Sequence, residues 1–128
     1  MVSKLKKQAW KIFSEYIRRR DSDWRGYATC VTCGVVKHWK QMQAGHFLPG
    51  RHNSVLFNEK NVHAQCPGCN MFKQGNSVKY FRFMQRTYGE EVIAELEKLD
   101  TQNKQFTPQE LKDLIETLKQ KINELPHN

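Results

Sequence analysis

The sequence predicts an α+β fold: a small, treble-clef-like core held by four cysteines, flanked by helices at the N- and C-terminal ends. Three observations predict it. Two Cys-x-x-Cys pairs of identical spacing, Cys30–Cys33 and Cys66–Cys69, bracket a stretch that alternates and turns too often for a helix. Apolar residues recur at helical spacing before the first pair and after the second. The length of 128 residues suits one modest core. The reading is a basic body over residues 1–100 and a helical extension over 101–128 that serves packing or dimerisation.

The elements follow in order. Residues 3–20 carry Leu5, Ala9, Ile12, Phe13 and Tyr16 on one helical stripe, with Lys4, Lys7, Lys11 and Arg18 largely off it. The run Arg18-Arg19-Arg20 is either a phosphate contact or a charged helix end. Residues 27–50 predict a short β-hairpin and a loop, and 54–65 a loop feeding another short strand. From Pro67 the pattern turns helical, with Ser77 as cap of VKYFRFMQRTY and Gly89 ending that helix. Val92, Ile93, Leu96 and Leu99 predict a further helix over about 90–99. Thr107-Pro108-Gln109-Glu110 places a capping hydroxyl, a first-turn proline and a glutamate three residues after the cap. The stripe that follows (Leu111, Leu114, Ile115, Leu118, Ile122, Leu125) either folds back on the body or pairs with a second copy in a homodimer. The chain has no internal repeat and no low-complexity segment.

Net charge is +8, unevenly spread. Residues 1–88 carry 16 Lys and Arg against 4 Asp and Glu, a net +12; residues 89–128 carry 5 against 9, a net −4. A basic body of this kind points to a polyanion, with nucleic acid as the leading partner. No apolar run approaches the roughly 20 residues of a membrane helix. The basic, amphipathic N-terminus has neither the continuous apolar stretch nor the small-residue cleavage site of a signal peptide, so the expected location is the cytoplasm.

The cysteine pattern predicts a structural zinc held by Cys30, Cys33, Cys66 and Cys69, because a two-residue spacer lets both thiolates of a pair face one ion. Two disulfides fit poorly with a basic cytoplasmic chain, and a redox site would explain one pair, not two. Four thiolates close the ion's coordination, so zinc does not activate water here. Chemistry, if present, lies between the pairs, where His38, His46, His52, Asn61 and His63 fall, with Asn70 directly after the second pair. A base, an oxygen ligand for a hard cation and nearby positive charge are the ingredients of phosphodiester hydrolysis. His38 and His52 read as surface loop residues, His52 beside Arg51 being within reach of a phosphate.

Cys-x-x-Cys, a His with Pro three residues on, Asn-Val and Cys-x-x-Cys-Asn together resemble the HNH (ββα-metal) nuclease motif. The sequence is more closely similar to the phage NinG/Rap recombination endonucleases, through AGHF (44–47), FNE (57–59), NVHAQCPGCN (61–70), Gly75-Asn76 and Tyr80. The resemblance covers roughly residues 28–100. It implies His46 as general base and Asn61 as the residue bracing the histidine's loop or orienting its ring. It also implies Asn70 as ligand of a catalytic Mg²⁺ or Mn²⁺. Lys73, Lys79 and Arg82 would contact phosphate. His63 is an additional ligand, a proton donor or a structural hydrogen-bonding residue. The activity implied is structure-selective cleavage of branched DNA such as Holliday junctions or D-loops. Three positions depart from the relatives: Gly45 stands where many HNH nucleases carry a second metal ligand, Gln43 where some carry an acid, and Lys73 where some carry a glutamate. The missing acidic ligand favours the rival reading, a non-catalytic zinc module that binds nucleic acid through its basic surface and Trp24, Trp39 and Phe47, whereas the combination of His46, Asn61 and Asn70 favours the enzyme. A third reading, a protein-interaction domain built on the C-terminal stripe, leaves the basic body unexplained.

Overall fold

The computed structural model describes residues 1–49 and 52–126. Its order is α1 (Val2–Arg20), β1 (Tyr27–Thr29), β2 (Val36–His38), a 3₁₀ turn (Trp39–Gln41), β3 (Gln43–His46), α2 (Asn53–Leu56), β4 (Val62–Gln65), a π-helical turn (Gly68–Phe72), α3 (Ser77–Thr87), α4 (Glu90–Asp100) and α5 (Pro108–Asn123). Among the described residues no helix is long and apolar enough to cross a membrane.

The strands form two antiparallel pairs, β1 with β2 and β3 with β4. In the second pair Gly45 faces His63 and His46 faces Val62. All four residues of β4 are buried, so its outer polar groups need partners from elsewhere. The end of α1 supplies most of them. Arg20 donates to the carbonyls of Glu59 (2.8 Å) and Val62 (2.9 Å), and the Asp21 carboxylate accepts from the Ala64 amide at 2.8 Å. The Ala64 carbonyl accepts from Val31 in the first cysteine turn. Arg20 is therefore a main-chain clamp, which decides its role in the arginine run.

Helix α1 is covered on both sides. Phe13, Tyr16 and Ile17 pack with Ala44, Val62 and Leu118, while Ala9 packs with Leu111 and Ile115. The stripe of α5 thus turns toward α1, and Thr107 and Glu110 close the expected capping box. Lys121 extends the seam through an ion pair to Glu59 at 2.6 Å, whose other oxygen accepts from Tyr16 at 3.0 Å. On the far side Tyr80 and Met84 of α3 pack with Ile93 and Leu96 of α4.

Three local expectations need correcting. The first part of 54–65 is the one-turn helix α2, not loop. The helical pattern from Pro67 is broken: after the π-helical turn, Gln74, Gly75 and Asn76 all take positive φ. Asn76, not Ser77, is the N-cap of α3, and it caps with a left-handed backbone rather than a side-chain bond. Gly89 ends α3 as expected, one step past the C-cap Tyr88, and is also the N-cap of α4.

Leu111 is fully buried between α5 and α1. Leu111→Ala should therefore lower unfolding stability by about 2–4 kcal/mol, read as a lower urea midpoint; an unchanged midpoint would mean that α5 does not share this core.

Candidate functional site

The four cysteines converge on one point. Cys30 and Cys33 sit in the turn between β1 and β2, Cys66 follows β4, and Cys69 lies in the π-helical turn. Their sulfurs all lie within 4.8 Å of one another. A tetrahedral ion with Zn–S bonds of about 2.3 Å sets its sulfurs about 3.8 Å apart, and Cys33 and Cys66 stand at 3.7 Å. Burial works against a thiolate at Cys30, but bonds from the Thr32 hydroxyl and from the backbone of Cys66, Cys33 and Thr32 outweigh it and bring the thiol down to about 6. At Cys33 a backbone bond at Val35 favours the thiolate, yet burial and the other three sulfurs push the thiol up to about 12. Four sulfurs this close ionise together only around a cation, and the donor set fits zinc. Thr32 and Asn76 add outer contacts, to Cys30 Sγ at 3.3 Å and to Cys69 Sγ at 3.6 Å.

Gln65 ties this centre to β3. It is completely buried, and its Nε2 donates to Thr32 Oγ1 (3.1 Å) and to the Gly75 carbonyl (2.9 Å). Its side chain crosses the face of Gly45, where an added Cβ would run into Gln65 Oε1 and lie 2.6 Å from Cδ. Glycine beside His46 is thus a packing requirement, because the space of a side chain there is taken.

His63, opposite Gly45, is buried among Tyr80, Tyr88 and Phe83. Tyr80 spends its one proton on the Gly45 carbonyl at 2.7 Å, so its oxygen accepts from His63 Nδ1 at 3.1 Å. Nε2 then carries the lone pair and accepts from the Tyr88 hydroxyl at 2.6 Å. Burial pushes His63 down to about 4. It is a neutral imidazole with both nitrogens engaged, holding β4 to α3.

His46, on the opposite face of β3, stacks on Trp10 with ring centroids 4.9 Å apart and an 18° tilt. Its Nε2 lies 3.1 Å from the Leu56 carbonyl, which can only accept, so Nε2 carries the proton. Nδ1 is left with its lone pair and no partner among the described residues. Burial lowers its pKa, and the Leu56 bond offsets that in part. Asn61, completely buried, holds the loop behind it. Its Oδ1 accepts from the Leu48 amide (2.8 Å), and its Nδ2 donates to the carbonyls of Leu48 (2.9 Å) and Val55 (3.2 Å). Its own carbonyl accepts from Phe47 at 2.7 Å.

A cleft of about 330 Å³ runs along β3, lined by Trp10, Ser14, Arg18, Gln43, Ala44 and Asn70 with Met42. Asn70 Nδ2 donates to Gln43 Oε1 at 2.7 Å, which leaves Asn70 Oδ1 without a partner among the described residues. Arg18 Nε donates to Ser14 and Nη1 to the Trp39 carbonyl at 3.2 Å, and burial lowers its pKa. The guanidinium stays charged at any working pH. The lining contains no carboxylate. Outside the cleft, Arg18 and Arg19 both lie over Trp39, at 5.2 and 5.0 Å from its ring centroid, with Lys40 at 5.8 Å.

The structure therefore groups Arg18 and Asn70 in one cleft and places His46 against its Trp10 wall. It sets Asn61 behind His46 and His63 on the other face of the sheet. Arg19 pairs with Glu15 at 3.0 Å. Lys73, Lys79 and Arg82 are exposed around the π-helical turn and α3. His52 pairs with Asp100 at 2.6 Å. Arg51 lies outside the described residues. His38 accepts from the Lys40 amide at 3.2 Å, capping the 3₁₀ turn. Sequence reasoning missed Trp10, Ser14, Gln65 and Tyr88. Trp10, Ser14 and Arg18 recur every four residues, a signal that marks one helical face.

A family model described as the bacteriophage lambda NinG protein matches residues 1–128. Proteins named ninG from Escherichia phage lambda and Salmonella phage P22 are each 32% identical to the chain over 120 residues, covering 93% of it and 56% of their own length. The protein of that name from Escherichia phage 933W is 31% identical over 120 residues, covering 93% of this chain and 57% of its own. The chain thus spans little more than half the length of these curated relatives. No solved structure matches it. The chain belongs to the NinG family of phage proteins, and the match extends well beyond the cysteine core.

Two predictions follow from the site's packing. Gly45→Asp, which would place an acid beside His46, should cost about 1–3 kcal/mol of stability through collision with Gln65; undiminished stability together with tighter Mg²⁺ binding would show the space to be open. His63 takes up a proton at 6.5 when unfolded but only at about 4 when folded. Stability is therefore full above pH 6.5 and falls as the pH drops toward 4, by about 2 kcal/mol at pH 5 and about 3 kcal/mol across the window. Urea titrations at pH 7 and pH 5 should show this loss in wild type and a flatter response in His63→Gln; an equal slope in both would assign it to other groups.

Proposed function

We propose that this protein is a structure-selective DNA endonuclease that hydrolyses phosphodiesters in branched recombination intermediates such as Holliday junctions or D-loops. The observation that carries the reading is the state of His46. Leu56 fixes its tautomer, burial keeps it neutral near pH 7, and Nδ1 presents a lone pair with no competing partner among the described residues. That is the form a general base needs. Beside it lies a cleft whose one charged lining residue among the described residues is Arg18, suited to a phosphate. The basic, aromatic face around Trp39 gives the backbone and bases of DNA further contacts.

In this mechanism His46 Nδ1 takes a proton from water. The oxygen bonds to phosphorus as the P–O3′ bond breaks, the leaving 3′-oxygen takes a proton from solvent water to become a hydroxyl, and Arg18 stabilises the charge gathering on the phosphate. Lys73, exposed after the π-helical turn, contacts a neighbouring phosphate. A zinc ion on the four cysteines would join the β1–β2 turn, the end of β4 and the turn bearing Asn70, without touching the reaction. The Mg²⁺ or Mn²⁺ implied by the family resemblance does not fit the cleft's side chains alone. Asn70 Oδ1 is the only uncommitted amide oxygen among the lining residues, no carboxylate accompanies it, and such an ion takes about six oxygens. The same lack of a carboxylate favours the second reading, a zinc-held module that binds nucleic acid without turnover.

A labelled four-way junction, a nicked duplex and a linear duplex, each incubated with Mg²⁺ or Mn²⁺, separate the two. Wild type should cleave the branched substrate, and His46→Ala should cleave it at least 100-fold more slowly, the order expected for a lost general base. Equal rates would remove His46 from the chemistry. Salt-sensitive binding without cleavage would establish the binding module.

A further inference from the structure

The tip after Asn70 is built against the ordinary preference for burial. Phe72 is 84% exposed and Met71 59%, and Val78 (65%) and Phe81 (40%) are further exposed apolar side chains on α3. The backbone that presents them is costly: the π-helical turn is a rare geometry frequent at functional sites, and Gln74 and Asn76 hold φ of 50° on either side of Gly75 at 87°. That turn is clamped from below. The Gly75 amide donates to the Cys69 carbonyl at 2.8 Å, the Gly75 carbonyl accepts from Gln65 at 2.9 Å, and Asn76 reaches Cys69 Sγ. Met71 Sδ lies 3.2 Å from Gln43 Nε2, and Gln43 also holds Asn70. The apolar tip is thus a rigid projection from the zinc centre, tied to the lining of the cleft.

Its charge names the occupant. Between Met71 and Arg82 the chain carries Lys73, Lys79 and Arg82 and no carboxylate. Two copies meeting through this surface would oppose like charges, and an apolar protein partner would leave the three cations without counter-charge. DNA supplies phosphates for them, but a continuous duplex offers no open base face to an aromatic ring. A branch point, where stacking is interrupted, offers both.

We propose that Phe72, with Met71 beside it, is a wedge that enters the interrupted stack at a branch point while Lys73, Lys79 and Arg82 hold the flanking phosphates. Selectivity for branched DNA then comes from this tip. The proposal rests on the reading of branched DNA as partner, and not on His46 or on hydrolysis.

The test is binding without added divalent cation or chelator, using a four-way junction with 2-aminopurine at the branch and a linear duplex of matched length. Wild type should prefer the junction and raise the 2-aminopurine emission as the base unstacks. Phe72→Ala should lose that rise and about tenfold of the preference, as expected for one lost stacking contact, while Phe72→Trp retains both. The exposed position keeps the fold out of the comparison, checked by an unchanged urea midpoint. Junction preference and emission in Phe72→Ala equal to wild type would overturn the wedge alone. Failure of wild type to bind any of the DNAs would overturn the functional reading with it. A dimer that Phe72→Ala dissociates in sedimentation would assign the patch to a second copy instead and overturn the proposal.

Discussion

Four sulfurs confined within 4.8 Å of one another are the constraint on which the rest of the structure depends. Two-stranded sheets of three and four residues are marginal by themselves, and among the described residues neither pair gains a third strand, β1 having only an isolated bridge from Ser22. The cysteines join the β1–β2 turn to the end of β4, so each hairpin gains the other as support. The charge logic runs the same way. Hydrogen bonds draw the Cys30 thiol down, while burial and the neighbouring sulfurs push Cys33 up, and four thiolates this close need a central cation to offset their mutual repulsion. Gln65 carries the constraint onward, reaching Thr32 in the first turn and Gly75 beyond the second while filling the space beside Gly45.

What was legible in the sequence is what is encoded locally. Cysteine spacing, the Thr107–Glu110 capping box and the apolar stripes of the end helices each state their structure within a few residues. The left-handed turn at 74–76 does not, because its conformation is enforced by Gln65 and Cys69, which lie elsewhere in the chain. The arginine run was ambiguous for a related reason. Arg18, Arg19 and Arg20 are identical in type and adjacent, and only their tertiary partners separate them: a cleft for Arg18, Glu15 and Trp39 for Arg19, the open edge of β4 for Arg20.

The candidate site was legible to a similar depth. Its residue types pointed to the segment between the cysteine pairs, and Asn61 behind His46 is a brace with every polar group committed. Spacing alone left His46 and His63 undifferentiated. The pleat decides between them. His46 and His63 fall on opposite faces of the β3–β4 ribbon, since Gly45, not His46, stands opposite His63. One face gives a histidine two tyrosine hydroxyls and no open nitrogen; the other gives it a carbonyl, a stacked indole and, among the described residues, an unpartnered lone pair.

Helix α1 explains why the cleft and the core are not independent. Ala9, Phe13, Tyr16 and Ile17 are the buried residues of the helix, while Trp10, Ser14 and Arg18 sit one position further round and line the cleft. At 100° per residue the two stripes are neighbours, so any rotation that improved one would spoil the other. The seam against α5 fixes that rotation from one side, and the clamps of Arg20 and Asp21 on β4 fix it from the end. The C-terminal helix therefore bears on the site: by seating α1 it sets the indole on which His46 rests. A site placed on the shared boundary of two stripes gains rigidity from the core at the cost of tolerance, and substitutions in the α1–α5 seam reach His46 through Trp10.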